Sequence, residues 1–182
     1  MQPKVKDEIR VLPYNPEWRD EFQRIRSMLL ECIGDIIISV EHVGSTSIEG
    51  LAAKPIIDID VVMESYELLP IIVKRLELIG FKHEGNLEIE GREAFKRTVE
   101  DDFMPYHLYV CPKDGKGYLE HIAFRDYLRE NPEIAEAYGQ LKKELADKFR
   151  FDREGYCNAK SDFCTEVLRQ TSIETLCDKS GK

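Results

Sequence analysis

The sequence predicts an α+β domain, a mixed sheet flanked by helices with a helical C-terminal segment. Three observations predict it. The signals run helix, two strands, helix, two strands and then helices, an order that suits a mixed sheet. Two neighbouring segments, "IIISVEHV" (36–43) and "PIIDIDVV" (55–62), are rich in the β-branched residues that favour strands. Two others open on Asn-Pro, at 15–16 and 131–132, and continue with apolar residues at helical spacing.

Taken in order, Val11 to Tyr14 reads as a short edge strand. Asn15 then supplies an N-cap and Pro16 a first helical position. Trp18, Phe22, Ile25, Leu29 and Cys32 form one inward stripe, and Gly34 ends that helix. The run 36–43 reads as a buried strand. In 55–62 the pattern alternates from Ile57 on, so Asp58 and Asp60 share one face while Ile57, Ile59 and Val61 share the other. Residues 66–79 form a helix with Ile72, Leu76 and Ile79 inward, closed by Gly80. "EAFKRTV" (93–99) and "YHLYVC" (106–111) follow as strands, joined by an acidic turn at Asp101-Asp102. From Tyr118 the chain turns helical. Ile134, Tyr138, Leu141, Leu145 and Phe149 make a stripe, flanked by early glutamates and late lysines that suit the helix dipole. A last helix covers about 160–171, and the tail, about 172–182, is expected to fray.

Composition bounds the function. With 182 residues, 42% hydrophobic and 34% charged, the chain suits one globular domain over 1–182. A net charge of −9 argues against sequence-independent nucleic-acid binding, which needs a basic footprint. No long apolar run suggests a membrane span, and "MQPKVKDEIR" lacks the apolar core of a signal peptide. The five cysteines are scattered without metal-ligand spacing, which reads as reduced thiols in a cytoplasmic protein.

Chemistry concentrates in "EHVGSTSIEGLAAKPIIDID" (41–60). Gly44 permits a sharp turn and close backbone approach to a ligand. Thr46 and Glu49 stand at capping-box spacing, so a short helix is expected there, with Ser45, Thr46 and Ser47 offering hydroxyl and amide donors to phosphate. A plain capped turn has the same letters. Asp58 and Asp60 on one face of an otherwise apolar strand either face solvent or hold a cation, and paired carboxylates suit Mg²⁺. The turn, a spacer over 46–57 and Asp-Ile-Asp together place a phosphate site and a metal site on neighbouring strands.

Gly44-Ser45 followed by Asp58-Ile59-Asp60 resembles the signature of the nucleotidyltransferase superfamily, the polymerase-β-like fold. From about Val11 to Leu168 the chain also resembles the GrpB family, through "YNPEW", "EHVGSTSIEGLAAKPIIDI", "GREAFKR", "HLYV", "AFRDYLRENPEIAEAYGQLKKELA" and "YCNAKSDF". The resemblance implies a nucleotidyltransferase-like mixed sheet. It also implies a site for a nucleoside triphosphate or another phosphorylated small molecule with Mg²⁺ or Mn²⁺, held by Asp58 and Asp60. Active superfamily members usually add a third carboxylate on a later strand. Here "YHLYV" offers His107 and Tyr109 instead, and the family pattern often has His-x-His there. An imidazole suits a transition metal better than Mg²⁺. Metal-dependent hydrolysis by Asp58, Asp60 and His107 is therefore a further reading, beside a non-catalytic ligand-binding module.

Six basic residues complete the expectation. Lys54 precedes the aspartate strand within reach of a phosphate, or is a solvated loop lysine. Arg92, with Lys96 and Arg97, either lines a polyphosphate cleft or blocks a strand edge. Arg125 either forks onto a phosphate or pairs with an aspartate. Lys160, one helical turn after Tyr156, is placed to line the cleft from the last helix.

Overall fold

A computed structural model of the protein describes residues 8–171. Helix α1 (Glu17–Ile33) is followed by strand β1 (Ser39–Val43), a single 3-10 turn (Ser45–Ser47) and β2 (Ile57–Met63). After a second 3-10 turn (Tyr66–Leu68) come α2 (Leu69–Leu78), β3 (Phe81–Gly85), β4 (Glu93–Arg97) and β5 (Tyr106–Pro112). Three helices complete the described chain: α3 (Lys116–Glu130), α4 (Pro132–Lys148) and α5 (Arg153–Gln170). The expected fraying of 172–182 lies outside the described residues.

The sheet is mixed, in the order β1-β2-β5-β4-β3. β2 and β5 run parallel, and every other neighbouring pair is antiparallel. The parallel pair needs a crossover, and α2 with the β3–β4 hairpin supplies it. Period two sorts the faces. Ile57, Ile59, Val61 and Met63 of β2, with Leu108 and Val110 of β5, join the main core under α1 and α2. The opposite face carries the aspartates, and α3 contacts it at β1 and β5.

Local causes match the predicted elements. Asn15 caps α1 by accepting from the Glu17 N–H at 3.0 Å, and Trp18, Phe22, Ile25, Leu29 and Ile33 are buried. The first strand is shorter than its apolar run, because 34–36 form the turn out of α1 and the strand begins at Ser39. Val11–Tyr14 contributes only a single bridge, Leu12 to Ala53. β3 was not predicted: "FKHEG" has one buried apolar residue, Phe81, and pairs through β4. The last helix begins earlier than expected, where Asp152 accepts from the Gly155 N–H at 3.0 Å. No described helix is long and apolar enough to cross a membrane.

Candidate functional site: an aspartate cleft between the sheet and the C-terminal helices

β5 lies beside β2 with His107 opposite Asp58 and Tyr109 opposite Asp60. Residues paired across neighbouring strands point to the same face, so all four converge on the side away from the main core. His107 Nδ1 donates to Asp58 Oδ1 at 2.8 Å. From α3, His121 reaches the second carboxylate, donating from Nδ1 to Asp60 Oδ2 at 2.7 Å. Each aspartate thus fixes one imidazole, and each ring keeps its Nε2 for another partner.

Asp60 is completely buried, and its Oδ1 has no hydrogen-bond partner among the described residues. Burial pushes its pKa up, against the His121 hydrogen bond, which pulls it down. For His121 burial acts downward, but the Asp60 hydrogen bond and charge outweigh it and the pKa is raised. The Arg92 guanidinium stacks 4.1 Å from the centre of the Tyr109 ring, and its charge acts on Asp60. Arg92 Nε is buried and has no hydrogen-bond partner among the described residues. On the other side of β2, Glu41 lies opposite Asp60 and is paired with Arg125 at 3.1 Å.

Gly44 forms the wall beside Asp58. Its φ of +70° and ψ of −176° lie in a region almost confined to glycine. A Cβ there would stand 2.3 Å from Asp58 Oδ2. The segment after it differs from the expected helix start. It is a single 3-10 turn with no side-chain cap, and Thr46 is turned into the core. The Thr46 hydroxyl donates to the Ile56 carbonyl at 3.3 Å and accepts from His42 Nε2 at 3.0 Å. His42 stacks on Phe22 with ring centres 4.6 Å apart, and burial lowers its pKa to about 4, so it is neutral at pH 7. The Ser47 amide and hydroxyl both donate to the Gly44 carbonyl, at 3.2 and 2.6 Å. Thr46 and Ser47 side chains therefore lock the turn and are not free to bind phosphate. The Gly44 backbone and Ser45 remain.

Three lysines stand over tyrosine rings nearby. Lys54 Nζ lies 5.2 Å and Lys160 Nζ 4.9 Å from the centre of the Tyr156 ring. Lys142 Nζ lies 4.5 Å from the centre of Tyr138, whose phenol interacts with Ser45. Burial and then Lys160 lower the pKa of Lys54, while Asp58 acts the other way. Lys54, Lys160 and Arg92 are among the expected cations, whereas His121, Glu41 and Lys142 are not among the expected site residues.

Two expected cations are used elsewhere. Arg125 binds Asp126, Glu41 and the His42 carbonyl, and lines a separate cavity of about 1040 Å³ behind the turn, between α1, α3 and α4. This is the structural ion pair rather than the phosphate fork. Arg97 pairs with Asp101 at 2.7 Å and covers Phe81, which takes it away from the aspartates.

The donor set suits one hard cation bound by two carboxylates. Asp60 Oδ1 is a buried oxygen without a hydrogen-bond partner among the described residues, and Asp58 is one-third exposed beside the turn. Among the described residues no three Asp, Glu, His or Cys side chains are arranged to share an ion. His107 is not part of such a group: it bonds Asp58 through Nδ1.

A mixed sheet that ends one strand in Gly-Ser and carries Asp-Ile-Asp on the next defines a protein of the nucleotidyltransferase fold. Cid1 in complex with its short product ApU shares this fold, with a TM-score of 0.52 at 14% identity over 72% of this chain and 41% of that one. Within that class the chain belongs to the GrpB family, whose description, GrpB protein, matches residues 8–170. It is 35% identical over 168 residues to the glutamate-rich protein GrpB of Alkalihalophilus pseudofirmus, spanning 91% of this chain and 97% of the relative. The crystal structure of the conserved protein GrpB from Enterococcus faecalis superposes with a TM-score of 0.80 at 32% identity, covering 92% and 99% of the two chains.

Proposed function

We propose that the cleft binds a nucleoside triphosphate or related polyphosphate with a divalent cation, Mg²⁺ or Mn²⁺, and passes a nucleotidyl or phosphoryl group to an acceptor. One observation carries the reading. The Gly44 turn is pressed against Asp58 so closely that a Cβ would stand 2.3 Å from its carboxylate, so the turn's backbone and the carboxylate share one wall. Asp58 and Asp60 would hold the cation. When bound, it neutralises phosphate charge and orients the reacting oxygens. The chain's own residues do the rest. His107 and His121 fix the two carboxylates, Ser45 and the Gly44 backbone meet phosphate oxygens, and Lys54, Lys160 and Arg92 balance their charge. Such chemistry works by positioning and charge rather than by a covalent intermediate.

A second reading, a non-catalytic nucleotide-binding module, is favoured by Tyr109. It stands opposite Asp60, where a carboxylate on β5 would have completed a metal site. Burial raises the Tyr109 pKa, so the phenol stays neutral. Both readings suit the cytoplasm, since Cys32, Cys111, Cys157 and Cys164 are free thiols.

Equilibrium binding of nucleotides and phosphorylated metabolites, with and without Mg²⁺ and Mn²⁺, tests the proposal. Metal-dependent binding with product formation supports transfer, and metal-dependent binding without turnover supports the module. If no phosphorylated ligand binds under any of these conditions, both fail.

A further inference from the structure

Lys142 occupies a position where a lysine should not be stable. It is 2% exposed, and its Nζ is buried with no hydrogen-bond partner among the described residues. The buried residues of α4 are Ala135, Tyr138, Gly139, Lys142, Leu145 and Ala146, so the ammonium occupies a core position of an amphipathic helix. A buried charge is normally paired, and a buried lysine left without a partner disfavours its own protonation. Its neighbours pull both ways. Lys160 from α5 and Lys54 from the loop before β2 add positive charge, and Asp58 and Cys164 supply the opposing effect. Tyr138, on its own helix, offers a ring face. Burial with these neighbours lowers the Lys142 pKa to about 7.

We propose that Lys142, Lys54 and Lys160 form an enclosed anion subsite that takes the far phosphate group of the ligand, and that occupying it draws a proton onto Lys142. This rests on the reading of the cleft as a polyphosphate site, and it adds the chemical class the far end must have. A multiply charged phosphate fits, because three clustered cations need more than one compensating charge. A neutral sugar or base edge does not. An anion placed among the three lysines also shifts Lys142 towards its charged form, so binding and proton uptake are linked.

The test is calorimetric titration of the full chain with inorganic tripolyphosphate at pH 8, with EDTA present, in two buffers of different ionisation enthalpy. Wild type is expected to bind with net proton uptake. Lys142→Met, which keeps side-chain length without charge, is expected to bind about tenfold more weakly or worse and to take up almost no proton. Lys160→Gln, at a half-buried position, is a second variant should Lys142→Met fail to fold, and is expected to bind several-fold more weakly. Equal affinity in a folded variant, or binding without proton uptake in wild type, overturns the subsite. Asp58→Asn with Asp60→Asn separates the two claims. If tripolyphosphate still binds that double variant through Lys142 while nucleotide shows no metal dependence in wild type, the subsite stands and the metal-nucleotide reading falls. If metal-nucleotide binds wild type and Lys142→Met equally, the reverse holds.

Discussion

Replacing Gly44 by alanine perturbs the stability of the turn and the geometry of the site at once. The residue sits at φ +70° and ψ −176°, where any side chain costs about 1–3 kcal/mol. The new Cβ would also stand 2.3 Å from Asp58 Oδ2 and 3.0 Å from its Cβ and Cγ, so the carboxyl must swing away and strain its bond to His107. Adding about 1 kcal/mol for that hydrogen bond gives a loss of about 2–4 kcal/mol. For a chain of this size that lowers Tm by roughly 4–16 °C. Gly50→Ala is the control, since Gly50 also has positive φ, +81°, but nothing lies within 4 Å of its added Cβ. It pays only the backbone cost. Circular-dichroism melts of the two variants isolate the contact with Asp58, and Asp58→Ala is expected to suppress much of the excess. If Gly44→Ala melts within two degrees of Gly50→Ala, the close approach of turn and carboxylate is wrong.

Two pH dependences follow from buried bases. His42 has a folded pKa of about 4 against an ordinary 6.5, so the unfolded chain binds the extra proton and stability is lost as pH falls through that window. The loss reaches about 3 kcal/mol, and urea unfolding of His42→Gln is expected to show a shallower pH dependence between those limits. Lys142, lowered from 10.5 to about 7, works in the same direction at higher pH: the ligand-free protein loses stability as pH falls from about 10 towards 7. The full deficit is on the order of 5 kcal/mol, so ligand-free Lys142→Met is expected to melt above wild type at pH 7 and to lose that advantage near pH 10. A melting difference independent of pH refutes the assignment.

How much was legible depends on whether a residue's role is local. The strand alternation placed Asp58 and Asp60 on one face, because period two is a property of the segment itself. The glycine turn was also readable. Its donors were not, because Thr46 and Ser47 bond to Ile56 and Gly44, and the folded backbone alone brings those carbonyls within reach. His121 and Glu41 reach Asp60 and Arg125 through pairings that single-segment patterns do not encode. β3 was missed because its alternation is weak and its partner lies across a turn. Lys142 left a signal that was passed over. It stands four residues after Tyr138 in the apolar stripe of α4, a charged residue at a core position.

Electron paramagnetic resonance of Mn²⁺ with ATP tests the central claim, a polyphosphate and a cation held together by Asp58 and Asp60. Wild type is predicted to produce a protein-bound Mn²⁺–ATP signal at concentrations where neither Mn²⁺ nor ATP alone is held as tightly. Asp58→Asn with Asp60→Asn, nearly isosteric with wild type, is predicted to lose that signal while keeping its fold and its binding of tripolyphosphate. A double variant that binds Mn²⁺–ATP as wild type does would contradict the account.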